Sequence, residues 1–237
     1  MIISCRSTRI VEEAKIKQPN ILLLLSDDQS FNTINALGNK EVSTPNMDRL
    51  VSEGTAFTHA HIMGGNTGAI CMPSRAMMMT GKNVQKFNNQ GALTSEDETM
   101  PQLLKEAGYA TFGTGKWHNN RDSYARSFTH GSNIFLGGMS NHLKVPLHDF
   151  DPSGEYLKRN RRFEDKFSSV LFREATVDFL QNYNGDKPFF AFVSFTSPHD
   201  PRMAPKEYEE MFNTWRRMER RCRKNDILSF YSIQGEY

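Results

Sequence analysis

A thiol, a proline, a hydroxyl and a guanidinium fall within five residues at Cys71-Met72-Pro73-Ser74-Arg75, and a helix-like block follows that closes on Thr80-Gly81. The pattern reads as a nucleophile at the start of a helix. Pro73 suits a first helical turn, where its missing N–H has no intrahelical partner to lose. A helix start presents unpaired N–H groups and the positive end of the helix dipole, so it favours anions. Arg75, four residues after the thiol, lies one turn on along the same face. The plain alternative is a buried, unreactive cysteine with Arg75 in solvent.

Three further polar groups invite chemistry. Asp27-Asp28 sets two carboxylates side by side, the hard oxygen ligands that a cation such as Ca²⁺ prefers; a turn or a helix cap would use the same residues. Gly115-Lys116-Trp117-His118 places a lysine and a histidine two residues apart, pointing in similar directions if the backbone is extended. A surface lysine and a packed histidine are the alternative there. His199 lies in Thr196-Ser197-Pro198-His199-Asp200-Pro201. His130, His142 and His148 have no spacing that assigns them a role.

The elements that must position these groups follow from periodicity. Asn20 to Leu25 is a continuous apolar run, the pattern of a fully buried strand in a parallel sheet, and it ends in Asp27-Asp28. Phe189 to Phe195 is a second such strand, ending in the His199 segment. Thr44 to Gly54 predicts a helix with Thr44 as cap and Met47, Leu50 and Val51 on its apolar face. Thr55 to Ile62 alternates like a strand. Gly64 to Gly68 reads as a flexible loop that matches no phosphate-loop spacing. Met77, Met78 and Met79 read as core packing. Thr99 to Gly108 predicts a capped helix, Tyr109 to Phe112 a short strand with Gly113 to His118 as the loop beyond it, and Phe167 to Tyr183 a helix. Residues 119–165 read as an irregular excursion over the site with room for short strands. The predicted class is α/β, with a mostly parallel or mixed central sheet flanked by helices. Ligands in such folds gather at the carboxyl ends of the strands, where all four polar groups would fall.

Together these motifs resemble the sulfatase family. Cys71 to Gly81 resembles its C-x-P-S-R signature closed by T-G. The strand ending in Asp27-Asp28 resembles its opening segment, Gly115 to His118 its G-K-W-H segment, and Ser197-Pro198-His199 with Pro201 its S-P-H-x-P segment. The resemblance covers about Pro19 to Phe212 and implies the alkaline phosphatase-like fold. It also implies that a dedicated maturation enzyme oxidises Cys71 to formylglycine, whose hydrate attacks the sulfur of a sulfate monoester. Asp27, Asp28 and the modified residue 71 would bind Ca²⁺, with Mg²⁺ as the alternative. Lys116 and His199 would neutralise sulfate oxygens, Arg75 would orient the nucleophile, and His118 would act as base. The implied substrate is a sulfated small molecule or carbohydrate. The implied compartment is outside the cytoplasm: periplasmic, extracellular or lysosomal.

The sequence also departs from the family pattern. Only 36 residues follow Pro201, and the family's second metal pair, second active-site lysine and smaller carboxyl-terminal domain have no counterpart there. The expected organisation is a poorly determined lead-in over 1–19, an incomplete amino-terminal sulfatase domain over 20–212, and an atypical basic tail over 213–237. Between Thr214 and Lys224 five arginines and one lysine face Glu219 alone. An inactive fragment, a metal- or sulfate-binding module, and a phosphoester or phosphonate hydrolase of the same superfamily are therefore the alternatives to a working sulfatase.

Composition narrows the field. With 237 residues, 38% hydrophobic and 24% charged, the chain has the make-up of an ordinary globular α/β domain. A net charge of +2 gives no reason to expect nucleic acid as partner. Cys5, Cys71 and Cys222 are odd in number and far apart, so they form neither a disulfide framework nor a zinc spacing. No apolar run reaches the roughly 18 residues of a membrane span. Residues 1–19 lack the apolar stretch of a secretory signal.

Overall fold

The structure, a computed structural model, describes residues 17–64, 70–87 and 91–211. Most of the polar lead-in, most of the Gly64–Gly68 loop and the basic tail lie outside them. Four strands form one parallel sheet: β1 (Ile21–Leu25), β2 (Ala110–Lys116), β3 (His130–Phe135) and β4 (Phe189–Ser194), in the order β1-β4-β2-β3. Five helices accompany them: α1 (Pro45–Glu53), α2 (Cys71–Thr80), α3 (Met100–Glu106), α4 (Arg121–Ser127) and α5 (Ser168–Asn182).

β4 is buried along almost its whole length, as its unbroken apolar run predicts. β1 is not. Ile21, Leu23 and Leu25 pack on the core, whereas Leu22 and Leu24 are 46% and 49% exposed. As the edge strand it has one covered face, because no described element packs on the other.

β2 runs four residues further than the Tyr109–Phe112 strand predicted from sequence, so Lys116 ends a strand instead of sitting in a loop. Glycine makes that extension work. Gly115 has φ +87°, and a Cβ there would stand 1.9 Å from the Ser194 carbonyl oxygen. The β2–β3 register shifts at this point, and the chain reaches β4 closely enough to lay Lys116 across its end. Trp117 anchors the next step. Its indole is 1% exposed among Tyr124, Phe128 and Phe192, and Nε1 donates to Ser123 Oγ at 2.9 Å. Burying such a side chain contributes about 2–3 kcal/mol, which fixes the flanking Lys116 and His118.

Three expectations fail here. Thr55 to Ile62 forms no strand; it pairs with none of the described residues, and Phe57 and Ile62 are each 83% exposed. Alternation alone does not make a strand without a partner for its backbone groups. The 119–165 segment holds β3, a short strand as expected, but also a helix, α4, that was not. Asn120 is the overlooked cap, its side chain accepting from Ser123 N. Thr44 precedes α1 but makes no capping bond to the helix backbone; its hydroxyl donates to Asp48 Oδ1 at 2.8 Å. On α1, Met47 and Leu50 are 38% and 60% exposed, so the predicted apolar face is not covered by the described residues.

α2 and α3 behave as read. Gly81 ends α2 in the left-handed region, and Met79 is fully buried. Gln102 Oε1 accepts from Thr99 N at 3.0 Å at the start of α3.

Candidate active site

The carboxyl ends of β1, β4 and β2 lie side by side, and α2 begins against them. Each strand hands its polar residues to the same place. Asp27 N donates to Ser197 O at 3.0 Å, which ties the end of β1 to the segment after β4.

Asp27 is the hub. It is 4% exposed and sits between two buried cations. Lys116 Nζ lies 2.5 Å from its Oδ2, and Arg75 Nη2 lies 3.3 Å from its Oδ1. Arg75 also donates through Nη1 to Lys116 O at 2.7 Å and to the Ser194 hydroxyl. The guanidinium is thus 3% exposed and fully engaged, not in solvent. Burial lowers its pKa, while Asp27 opposes that shift. Ser194 is a partner that sequence reading missed, because nothing in an apolar strand run marks its last hydroxyl. The Asp27–Arg75–Lys116 cluster carries one more positive than negative charge, an excess that the neighbouring Asp28 offsets in part.

Cys71 is the first residue of α2 and is buried. Ile70 at the cap offers no side-chain oxygen, so the first-turn N–H groups have no side-chain cap. The thiol lies 3.9 Å from Asp28 Oδ1. Burial pushes its pKa up, against the pull of Lys116. That direction disfavours a thiolate, so the site is not tuned for thiol nucleophilicity.

His199 Nε2 stands 3.5 Å from Asp28 Oδ2, and its Nδ1 donates to Asp200 O at 2.6 Å. His118 has φ +53°, so it does not alternate with Lys116 along an extended chain as predicted. The backbone turns, and the imidazole comes to lie within the field of Lys116, Arg75, Asp27 and His199 all the same. Its ring rests on Gly138, where a Cβ would stand 2.4 Å from Nε2, and its Nδ1 is buried with no partner among the described residues. His142, which sequence gave no role, is 2% exposed directly behind the His199 segment, and its Nε2 lies 2.9 Å from His199 O.

His118 yields a pH prediction. Burial first, then Lys116 and Arg75, push its pKa from 6.5 down to about 4. The unfolded chain therefore takes up the proton first as pH falls. The stability His118 contributes is complete above pH 6.5 and is lost as pH drops through 4. Thermal midpoints measured from pH 7 to 4 should fall more steeply in the wild type than in H118N. Equal slopes would refute this.

The donor atoms suit a cation in part. One ligand atom each from Asp27, Cys71 and His199 lie within 4.8 Å of one another, with Asp28 adjoining. With sulfur present the set is mixed; an oxygen in its place would make it harder. Asp27 retains lone pairs beyond those its two cations use. Two carboxylates are fewer than the six to eight oxygens Ca²⁺ takes, so the described residues supply part of such a shell. A cleft of about 340 Å³ opens here, lined by Asp27, Asp28, Cys71, Ser74 and Arg75 among others.

Fold and site define the class: a parallel α/β protein whose polar side chains converge at the carboxyl edge of its sheet. The family model described as Sulfatase matches residues 19–229, and the chain belongs to the sulfatase family. The chain is 28% identical over 205 residues to an N-acetylglucosamine-6-O-sulfatase of Bacteroides thetaiotaomicron, covering 85% of this chain and 34% of that protein. It is 27% identical to an arylsulfatase of Klebsiella aerogenes, covering 84% and 47%. A structure in complex with its substrate, D-glucosamine-2-N,6-O-disulfate, superposes with a TM-score of 0.72 at 27% identity, over 84% of this chain and 38% of that one. The chain thus spans between a third and a half of these relatives' length.

No helix among the described residues is long and apolar enough to cross a membrane.

Proposed function

We propose that this chain carries the catalytic core of a sulfuric ester hydrolase that cleaves sulfate monoesters. The observation that carries this reading is the buried Arg75–Asp27–Lys116 cluster beside Cys71 at the start of α2. It sets two buried cations beside the nucleophile position, where a tetrahedral monoanion would find counter-charges.

Oxidised to formylglycine by a maturation enzyme, residue 71 would supply, as its hydrate, one hydroxyl to attack sulfur and another whose deprotonation releases sulfate. Asp27 and Asp28, with that side chain, would hold Ca²⁺ (Mg²⁺ being the alternative), which polarises an oxygen as a Lewis acid. Arg75, clamped by Asp27, Ser194 and the Lys116 carbonyl, holds its charge one turn from the nucleophile. Lys116 and His199, which contact the cleft-lining Asp27 and Asp28, would partner sulfate oxygens, and His199 would pass a proton to the departing alcohol. His118, neutral above about pH 4, is free to accept one. A sulfated small molecule or carbohydrate is the proposed substrate class, the relatives named above including both an arylsulfatase and an N-acetylglucosamine-6-O-sulfatase.

The test is expression with the maturation enzyme, mass spectrometry of the Cys71 peptide, and turnover of paired aryl sulfate and aryl phosphate substrates before and after chelation. Expected are an aldehyde at residue 71, preference for the sulfate, and loss of rate on chelation that Ca²⁺ restores. An unmodified thiol with no hydrolysis refutes the enzyme. Preference for the phosphate ester shifts the reading to the superfamily's phosphoester chemistry. The incomplete cation shell favours a second reading, an inactive fragment or a metal- or sulfate-binding module, which would bind its ion without turnover.

A further inference from the structure

The segment that carries His199 is gripped from behind. His142 is 2% exposed, and its two ring nitrogens face different kinds of partner. Nε2 lies 2.9 Å from the backbone carbonyl oxygen of His199. A carbonyl only accepts, so Nε2 carries the proton and donates it. Nδ1 is then an acceptor. It faces the Thr196 hydroxyl at 2.9 Å, and Ser168 Oγ stands 2.8 Å from that hydroxyl. Thr196 gives its proton to Nδ1, so Ser168 gives its own to Thr196. The result is a directed chain from Ser168 through Thr196 and His142 to the His199 carbonyl.

The chain is rooted in rigid structure. Ser168 opens α5, is fully buried, and its N–H donates to His142 O at 2.7 Å. Thr196 lies two residues beyond β4 and is 4% exposed. The backbone of His199 is therefore fixed to both the start of α5 and the end of β4. Its own Nδ1 is held by Asp200 O, which aims Nε2 at Asp28. Every donor and acceptor named finds a partner, which a buried polar network needs if it is to specify one arrangement.

We propose that His142 is a positioning residue: through the His199 carbonyl it sets where the His199 imidazole meets the substrate. This role rests on the sulfatase reading only for the nature of that substrate; the grip itself does not. Groups that orient an active imidazole from behind typically change activity by about 10–100-fold when removed.

The experiment compares H142N, H142Q, H199A and the double variant H142N/H199A in the full-length protein. Asparagine keeps an amide against Thr196 but is too short to reach the His199 carbonyl, whereas glutamine reaches it with a donor. The first readout is the ¹⁵N and ¹H imidazole resonances. The wild type and H142Q should share one set of His199 imidazole shifts, and folded H142N should show them displaced or broadened as the ring loses its fixed place against Asp28. An unchanged His199 signal in folded H142N overturns the proposal. The second readout is kcat/KM on an aryl sulfate. It should fall about 10–100-fold in H142N, recover largely in H142Q, and show no further loss from H142N in the H199A background. Losses that simply multiply would overturn the proposal. Absence of turnover in the wild type would refute the sulfatase reading and leave the resonances to decide the role of His142.

Discussion

Replacing Cys71 with alanine should lower sulfate-ester turnover about 10⁴- to 10⁶-fold while leaving the fold in place. Loss of a covalent nucleophile costs this much because binding and charge stabilisation alone cannot replace the attacking atom. The fold should survive because little depends on the sulfur. Its one recorded polar contact is the 3.9 Å approach to Asp28, and alanine is the better helix former at the start of α2. A thermal midpoint within a few degrees of wild type, together with turnover of a fluorogenic aryl sulfate, checks both halves. Turnover of C71A at the wild-type rate would remove residue 71 from the mechanism.

Asp27 and Asp28 should separate under mutation although they adjoin in sequence. Asp27 is the one carboxylate shared by Arg75 and Lys116, and all three side chains are at most 5% exposed. Replacing it with alanine leaves two buried cations facing each other with no counter-charge. Breaking a buried pair in this way costs about 3–5 kcal/mol, which for a domain near this size lowers the thermal midpoint by about 6–20 °C. Asp28 is 54% exposed at its side chain, and its partners stand at 3.5 and 3.9 Å. Its φ of +58° suits asparagine. D28N should therefore shift stability by no more than about 1 kcal/mol. On the proposed cation-binding role of both aspartates, both variants should also lose activity. Calorimetric unfolding of the two, set beside their turnover, decides the matter. Equal stability losses would show that Asp27 is not the structural counter-ion.

How much of this could be read from sequence depended on whether the signal was local. The β1 and β4 runs, the α2 block closed by Gly81 and the Thr99–Gln102 start of α3 were all legible, because each is fixed by residues within a turn or a few positions. So was the placement of Asp27, Cys71 and His199 at or just beyond the ends of elements, whereas Lys116, read into a loop, closes β2. β3 was hidden because His130-Gly131-Ser132-Asn133 carries no apolar signal. α4 was hidden because it buries hydroxyls, at Ser123 and Ser127, as well as Tyr124.

The sequence by itself determined the kinds of group present and the element ends that carry them. Only the tertiary structure decided who meets whom. The strand order β1-β4-β2-β3 lays Asp27 and Lys116, 89 residues apart, on either side of β4. It thereby turned one of two equivalent-looking aspartates into a buried counter-ion and left the other half exposed. It also drew His142, 57 residues from His199 and without any motif, against that residue's carbonyl. The physical reason is that periodicity encodes a face and an end. A charge pair or a buried hydrogen bond depends on which strand lies beside which, and that is settled by packing the whole sheet.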